Sequence, residues 1–174
     1  MENKKSEFII LLVCTGNTCR SPMAEGILKK LLAERGIGDI RVSSAGTSAL
    51  DGYPAALFTI EATKVWDIDL KEHYSRKLTL DMLKESDLIL VMSKEHLKHI
   101  EKMDRKSLEK SYLLKAFPLK NEDENLAIKD PIGRSLEEYN QCFFELDEEI
   151  KRILPEIISL YLKVVSKVEP REKK

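Results

Sequence analysis

A thiol and a guanidinium stand at the two ends of a short polar loop near the beginning of the chain. The loop reads Cys14-Thr15-Gly16-Asn17-Thr18-Cys19-Arg20-Ser21-Pro22. A continuous apolar run, Phe8 to Val13, precedes it, which is typical of a strand buried on both faces of a parallel sheet. A segment with helical spacing of apolar residues, 23–34, follows it. The feature therefore predicts an α/β protein whose first strand leads through a tight loop into a helix.

The rest of the chain continues this alternation of strands and helices. Further strands are predicted at 40–44, 88–92 and 112–117, and helices at 54–66, 80–85, 93–103 and from the capping box of Ser135 and Glu138 onward. Pro155 is expected to kink or interrupt the last helix. We expect a single-domain three-layer α/β/α fold with a four-stranded parallel sheet flanked by helices. The loop from Cys14 to Arg20 would follow strand 1.

Composition excludes several classes of protein. With 174 residues and a net charge of -1, the chain predicts one domain without the basic field that duplex nucleic acid requires. Three cysteines are too few for a disulfide scaffold, and no apolar stretch reaches membrane-spanning length. A cytoplasmic protein, monomeric or weakly dimeric, is expected. Its limits are predicted as a polar tail at 1–7, the domain at 8–163 and a charged tail at 164–174.

The loop suits nucleophilic attack on a phosphoryl group by sulfur. Arg20 and the following helix are expected to lower the pKa of the Cys14 thiol, with Ser21 as helix N-cap and a hydrogen-bond donor to the sulfur. The guanidinium of Arg20 offers a planar fork to two phosphate oxygens. Gly16 is expected to supply a positive φ, and Asn17 tolerates the left-handed region.

Backbone N–H groups of the loop are expected to converge on the anion. The predicted phosphate-binding residues are Thr15, Gly16, Asn17, Thr18, Cys19, Arg20 and Ser21. A carboxylate on a later turn, Asp130 before Pro131, is a candidate general acid for the leaving group and a general base for water. Such chemistry requires no metal and no cofactor. His96 and His99 are interpreted as a solvated helix face, and His73 has no evident partner.

Three blocks of sequence resemble the low-molecular-weight protein tyrosine phosphatases. They are Cys14 to Glu25, Ser44-Ala45-Gly46-Thr47 and Asp130-Pro131. The resemblance implies Cys14 as nucleophile, Arg20 as phosphate clamp and Asp130 as acid and base. It also implies that Asn17 and Ser44 support the loop by hydrogen bonds. Phosphorylated proteins would be the partners, with phosphotyrosine or phosphoarginine dephosphorylated through a phosphocysteine intermediate.

Thr18 directs the resemblance toward the bacterial protein arginine phosphatases. These carry threonine there, whereas tyrosine-specific members typically carry a bulky aliphatic residue. An aromatic residue usually follows Asp-Pro in the family, but this chain has Ile132, which cannot stack on a substrate. Tyr53 either lines the site entrance or packs in the core. These three positions are the candidate specificity residues.

Other residues keep two interpretations. Cys19 either traps an oxidised Cys14 as a reversible disulfide or is a small buried residue at a helix start. Trp66 is interpreted as a core residue, and Cys142 as a residue of the core or its boundary.

Three alternative functions share the loop or its chemistry. An arsenate reductase of the same fold would need further cysteines after the third strand, where none occurs. A phosphoresidue-binding module without turnover would not need the full set of Cys14, Arg20 and Asp130. A phosphocysteine carrier in sugar uptake would not need Arg20.

Overall fold

The computed structural model describes residues 7–168. Residues 1–6 and 169–174, which hold most of the two predicted tails, lie outside this range. The last helix continues to Val168, so regular structure extends beyond the predicted domain limit at residue 163.

A four-stranded parallel sheet forms the centre of the molecule, as predicted. Its strands are β1 (Phe8–Cys14), β2 (Ile40–Gly46), β3 (Leu88–Val91) and β4 (Ser111–Leu113), in the order β2-β1-β3-β4. The strand β1 lies between β2 and β3, so both of its edges are hydrogen-bonded. Apolar cores cover both of its faces, which is why its sequence is apolar throughout. The carboxyl end of this inner strand carries Cys14.

Five α-helices pack around the sheet. They are α1 (Arg20–Glu34), α2 (Leu57–Lys64), α3 (Leu80–Glu85), α4 (Lys94–Met103) and α5 (Leu136–Val168). Short 3-10 segments occupy Arg105–Lys110 and Glu124–Leu126.

Alternate side chains of β1 enter two separate apolar cores. Ile10 and Leu12 lie in the core that includes Phe143 of α5, while Leu11 and Val13 lie in the core on the opposite face. All four side chains are almost fully buried. Burial of one such side chain stabilises the fold by about 1.5–3 kcal/mol. These two cores hold the end of β1, and therefore Cys14, in a rigid position.

Several predicted boundaries differ from those observed. The helix α2 begins at Leu57 rather than Pro54, and β2 extends to Gly46 because Cys14 pairs with it. The strand β4 ends at Leu113, where the chain turns.

The helix α5 is not interrupted at Pro155. Pro155 has no backbone N–H, so the carbonyl of Lys151, four residues earlier, lacks its helical hydrogen bond. Both residues lie on the exposed side of the helix. Water can satisfy that carbonyl, which is why the helix continues.

Candidate active site

The loop between β1 and α1 closes more tightly than the sequence predicted. The helix begins at Arg20 with Cys19 as its N-cap, so the prediction of Ser21 as N-cap is wrong. Ser21 instead lies in the first helical turn, with its hydroxyl 2.8 Å from the Cys14 sulfur. The residue with positive φ is Asn17, at 56°, and not Gly16. The residue in the left-handed conformation is therefore one whose side chain also makes hydrogen bonds.

Asn17 is fully buried and joins the loop to three other segments. Its Nδ2 donates to the Ser21 and Ser44 hydroxyls, at 2.9 Å each. Its Oδ1 accepts from the backbone N–H of Arg76 at 2.9 Å. Ser44 in turn donates to the Glu25 carboxylate at 2.6 Å. This network holds the loop against β2, α1 and the segment before α3.

Three contacts that support the loop were not predicted from the sequence. His73 Nε2 lies 2.7 Å from the Asn17 carbonyl, to which it can donate. The N–H of Thr47 donates to the Cys14 carbonyl at 2.9 Å. Gly46 lies so close to the loop that an added Cβ would overlap the Thr15 carbonyl oxygen and lie 3.0 Å from the Asn17 nitrogen. The glycine in Ser-Ala-Gly-Thr was the available signal, since glycine marks close backbone approach.

The thiol of Cys14 is buried at the base of the loop. Its sulfur contacts the Ser21 hydroxyl and accepts from the Asn17 N–H at 3.3 Å. Burial raises the pKa of the Cys14 thiol above its ordinary value, whereas Ser21, the Arg20 charge and the Asn17 N–H act to lower it. The expectation of a lowered thiol pKa is therefore wrong for the free protein, because desolvation of the sulfur outweighs these partners.

Arg20 connects the loop to the segment that carries Asp130. Its side chain is buried, with Nη1 donating to the Ile128 carbonyl at 3.1 Å. Nη2 donates to Asp130 Oδ2 at 2.8 Å and to the Thr15 hydroxyl at 3.3 Å. The buried Nε finds no acceptor among residues 7–168. An unpaired buried donor is costly, so this nitrogen favours an acceptor supplied from outside the chain.

Asp130 is partly exposed on the turn that follows Ile128. Its Oδ1 accepts from the N–H of Ile132 at 3.2 Å, which fixes the orientation of the carboxylate. The fold thus brings Asp130 to the loop residue Arg20, from a position 110 residues further along the chain.

Two of the three candidate specificity residues are more than half exposed to solvent. Tyr53 and Ile132 are 56% and 61% exposed, so Tyr53 is not a core residue. Thr18 is partly buried, and its carbonyl accepts from the N–H of Ala56 and the hydroxyl of Thr59, both at 3.0 Å. The segment that follows Tyr53 therefore lies directly against the loop.

The three cysteines, Cys14, Cys19 and Cys142, are free and buried. Cys19 lies 3.4 Å from the Tyr139 hydroxyl. Cys142 packs in the core, where burial raises its pKa to about 12.

Two predictions about aromatic residues are wrong. His96 does not belong to a solvated face but is 3% exposed, with its ring 2.9 Å from the Thr15 hydroxyl. Trp66 is 42% exposed and stacks on Phe143 rather than entering the core. Helical spacing places a residue on a face but cannot tell which neighbouring segment covers that face.

Within residues 7–168, no three His, Cys, Asp or Glu side chains are grouped to hold a metal ion. The helices of this same range are also too short or too polar to cross a membrane.

Comparison with known proteins identifies the family of this chain. The family model "low molecular weight phosphotyrosine protein phosphatase" matches residues 9–164. The chain belongs to this family. It is accordingly a phosphoprotein phosphatase, a hydrolase.

Three relatives illustrate the range of the family. The protein-arginine-phosphatase of Bacillus subtilis (strain 168) is 33% identical over 148 residues, covering 85% of this chain and 95% of that protein. The low molecular weight protein-tyrosine-phosphatase Ptp of Acinetobacter johnsonii is 37% identical over 136 residues, covering 78% and 84%. A solved structure of the arginine phosphatase YwlE, a cysteine-to-serine mutant with a phosphorylated active-site serine, has a TM-score of 0.80. It is 31% identical and covers 93% of this chain and 100% of that one.

Proposed function

We propose that this chain dephosphorylates protein side chains through a phosphocysteine intermediate, with Cys14 as nucleophile, Arg20 as phosphate clamp and Asp130 as acid and base. The observation that carries the proposal is the Arg20 guanidinium, which lies buried beside the thiol with an unpaired Nε. A phosphoryl oxygen is an acceptor of the right charge for that donor. The N–H groups at the start of α1 supply the remaining positive field.

The first step transfers the phosphoryl group to sulfur. The Cys14 thiol, whose pKa is raised in the free protein, first gives its proton to a phosphoryl oxygen of the bound substrate. The resulting thiolate attacks phosphorus, the bond from phosphorus to the substrate oxygen or nitrogen breaks, and that atom takes a proton from the Asp130 carboxyl. In the second step, water attacks phosphorus and gives its proton to Asp130. The phosphorus–sulfur bond then breaks, releasing phosphate and a thiolate that the Ser21 hydroxyl stabilises.

The relative with a phosphorylated active-site serine supports the covalent intermediate. That protein carries the phosphoryl group on the residue that replaces its cysteine, and its fold matches this chain. The pairing of Asp130 with Arg20 supports the role of Asp130, since it holds a carboxylate next to the guanidinium that would bind phosphate.

The preferred substrate in this proposal is phosphoarginine. Thr18 places a hydroxyl on the loop. Within residues 7–168 the hydroxyl makes one hydrogen-bond contact, with the Cys19 sulfur at 3.6 Å, in which either atom can be the donor, so an oxygen lone pair remains available to a guanidinium N–H. Ile132 offers an apolar side chain but no aromatic face to a phenyl ring. The similarity to a protein-arginine-phosphatase points the same way.

A side-by-side measurement of kcat/KM on phosphoarginine and phosphotyrosine peptides tests the substrate. A higher value for phosphotyrosine would refute the preference while leaving the chemistry intact.

Mass spectrometry of acid-quenched turnover mixtures tests the covalent step. We expect a phosphoryl adduct on Cys14 and no turnover in Cys14→Ser. Full activity of Cys14→Ser would overturn the mechanism. A folded wild-type protein that binds phosphopeptides without turnover would be a binding module.

A further inference from the structure

We propose that His96 is a positioning residue, which orients the Arg20 guanidinium through the hydroxyl of Thr15. This inference rests on the proposed role of Arg20 as phosphate clamp and adds a residue outside the loop to the catalytic machinery.

The contacts of His96 determine its tautomer. The backbone N–H of Ser93 points at Nδ1 of His96 from 3.1 Å, so Nδ1 must be an unprotonated acceptor. In a neutral imidazole the hydrogen then lies on Nε2. Ser93 and His96 are the N-cap and third residue of α4, and this backbone contact holds the ring against the first turn of the helix.

The tautomer decides which partner donates in the contact between His96 and Thr15. Because Nε2 carries the hydrogen, His96 donates to Thr15 Oγ1 at 2.9 Å. The same oxygen accepts from Arg20 Nη2 at 3.3 Å. A chain of three contacts thus runs from the backbone of Ser93 through His96 and Thr15 to Arg20. It fixes the position of the Thr15 oxygen, which otherwise sits on an exposed residue.

These hydrogen bonds affect how Arg20 binds phosphate. Arg20 Nη2 divides its hydrogen bonds between Thr15 and Asp130. When a phosphoryl group displaces the carboxylate, Thr15 is the contact of Nη2 that remains. Thr15 held by His96 therefore keeps the guanidinium plane aligned with the incoming oxygens, which a freely rotating hydroxyl would not do.

Charge also favours a neutral His96. Burial, and then the charges of Arg20 and His99, lower its pKa to about 4, against a small opposing effect of Glu95. A neutral ring is the form that can accept at Nδ1 and donate at Nε2 at the same time.

The experiment compares His96→Leu, which removes the donor, with His96→Gln, which keeps a donor on a side chain of similar reach. Steady-state kinetics with phosphopeptide and inhibition by inorganic phosphate are measured, together with the melting temperature. We expect His96→Leu to lower kcat/KM by about 10–100-fold and to weaken phosphate inhibition, and His96→Gln to restore most of both. The control His99→Leu changes the neighbouring histidine of α4, whose ring makes no hydrogen bond to the loop within residues 7–168.

Coupling to Thr15 separates positioning from mere support of the fold. Thr15→Val should lower kcat/KM, Thr15→Ser should retain it, and His96→Leu should add little in the Thr15→Val background. Independent, multiplying losses would overturn the proposal, as would a His96→Leu protein that melts lower yet keeps its kcat/KM and phosphate inhibition. If His96→Leu does not fold, the two Thr15 variants decide alone. Equal activity of Thr15→Val and Thr15→Ser would then show that the Thr15 hydroxyl does not orient Arg20.

A failure of the proposed role of His96 can be told apart from a failure of the proposed function. If the wild-type protein hydrolyses no phosphopeptide, the mechanism fails. If it does and these variants match it, only the role of His96 fails.

Discussion

Arg20 and Asp130 are joined by an ion pair of 2.8 Å between Nη2 and Oδ2. The guanidinium is buried while the carboxylate is partly exposed, so the movable partner is Asp130. In the proposed mechanism a substrate phosphoryl group takes its place on Arg20. The displaced carboxyl then lies next to the leaving group, where an acid is needed.

The first prediction concerns the leaving group. Asp130→Asn cannot transfer a proton, so we expect kcat to fall by about 10²–10⁴-fold for poor leaving groups. The loss should be much smaller for p-nitrophenyl phosphate, since p-nitrophenolate leaves without a proton. A series of aryl phosphates of increasing phenol pKa measures this. Asp123→Asn, on an exposed neighbouring loop, serves as the control. A loss that is the same for every leaving group would remove Asp130 as the acid.

The second prediction concerns the buried Asn17 network. Asn17→Ala removes three hydrogen bonds and leaves an alanine at a φ of 56°, so the free energy of unfolding should fall by about 2–4 kcal/mol. Asn17→Gly also loses the bonds but tolerates the backbone angle. Urea denaturation of both variants therefore separates the two effects. If both unfold like the wild type, the network does not stabilise the loop.

The third prediction concerns the close approach of β2 to the loop. Gly46→Ala should lower the free energy of unfolding by about 1–3 kcal/mol, because its Cβ would lie only 2.8 Å from that of Ala49 and overlap the Thr15 carbonyl. Gly16→Ala is the matched control, since its Cβ would meet nothing nearer than 3.7 Å. Thermal and urea unfolding of the pair should differ clearly. Equal stabilities would contradict the close approach.

The fourth prediction concerns acid stability. The pKa of His96 is lowered to about 4 in the folded protein, against an unfolded value of 6.5. The unfolded chain therefore binds a proton between these values that the folded protein does not, so stability is lost as pH falls from about 6.5 to about 4. The loss attributable to His96 is about 3 kcal/mol.

Urea denaturation at several pH values, for the wild type and His96→Gln, isolates this contribution. The difference in unfolding free energy between the two proteins should shrink as pH falls. A difference that stays constant with pH would mean that His96 does not titrate in this way.

The fifth prediction concerns Thr18. Thr18→Ile removes the hydroxyl and fills the space beside the phosphate, so the ratio of kcat/KM for phosphoarginine over phosphotyrosine should fall by about tenfold or more. Thr18→Ser retains the hydroxyl and should preserve the ratio. Peptides that differ only in the phosphorylated residue provide the measurement. An unchanged ratio in Thr18→Ile would exclude this side chain as the determinant.

The sequence by itself determined the elements whose signals are local. The apolar run of β1 and the loop from Cys14 to Arg20 are contiguous, so their order, the parallel sheet and the position of the candidate nucleophile followed from patterning alone. The family followed from three short blocks, Cys14 to Glu25, Ser44 to Thr47 and Asp130-Pro131, each of which is continuous in the sequence.

Only the tertiary structure decided the contacts between distant segments. It decided that His73 and His96, 56 and 81 residues from their loop partners, contact the loop, and that Gly46 lies against it. Spacing along one helix cannot reveal a partner that arrives from another strand or loop. The tertiary structure also decided the pKa of Cys14. Burial of its sulfur raises that pKa by more than Ser21, Arg20 and Asn17, its neighbours in sequence, lower it.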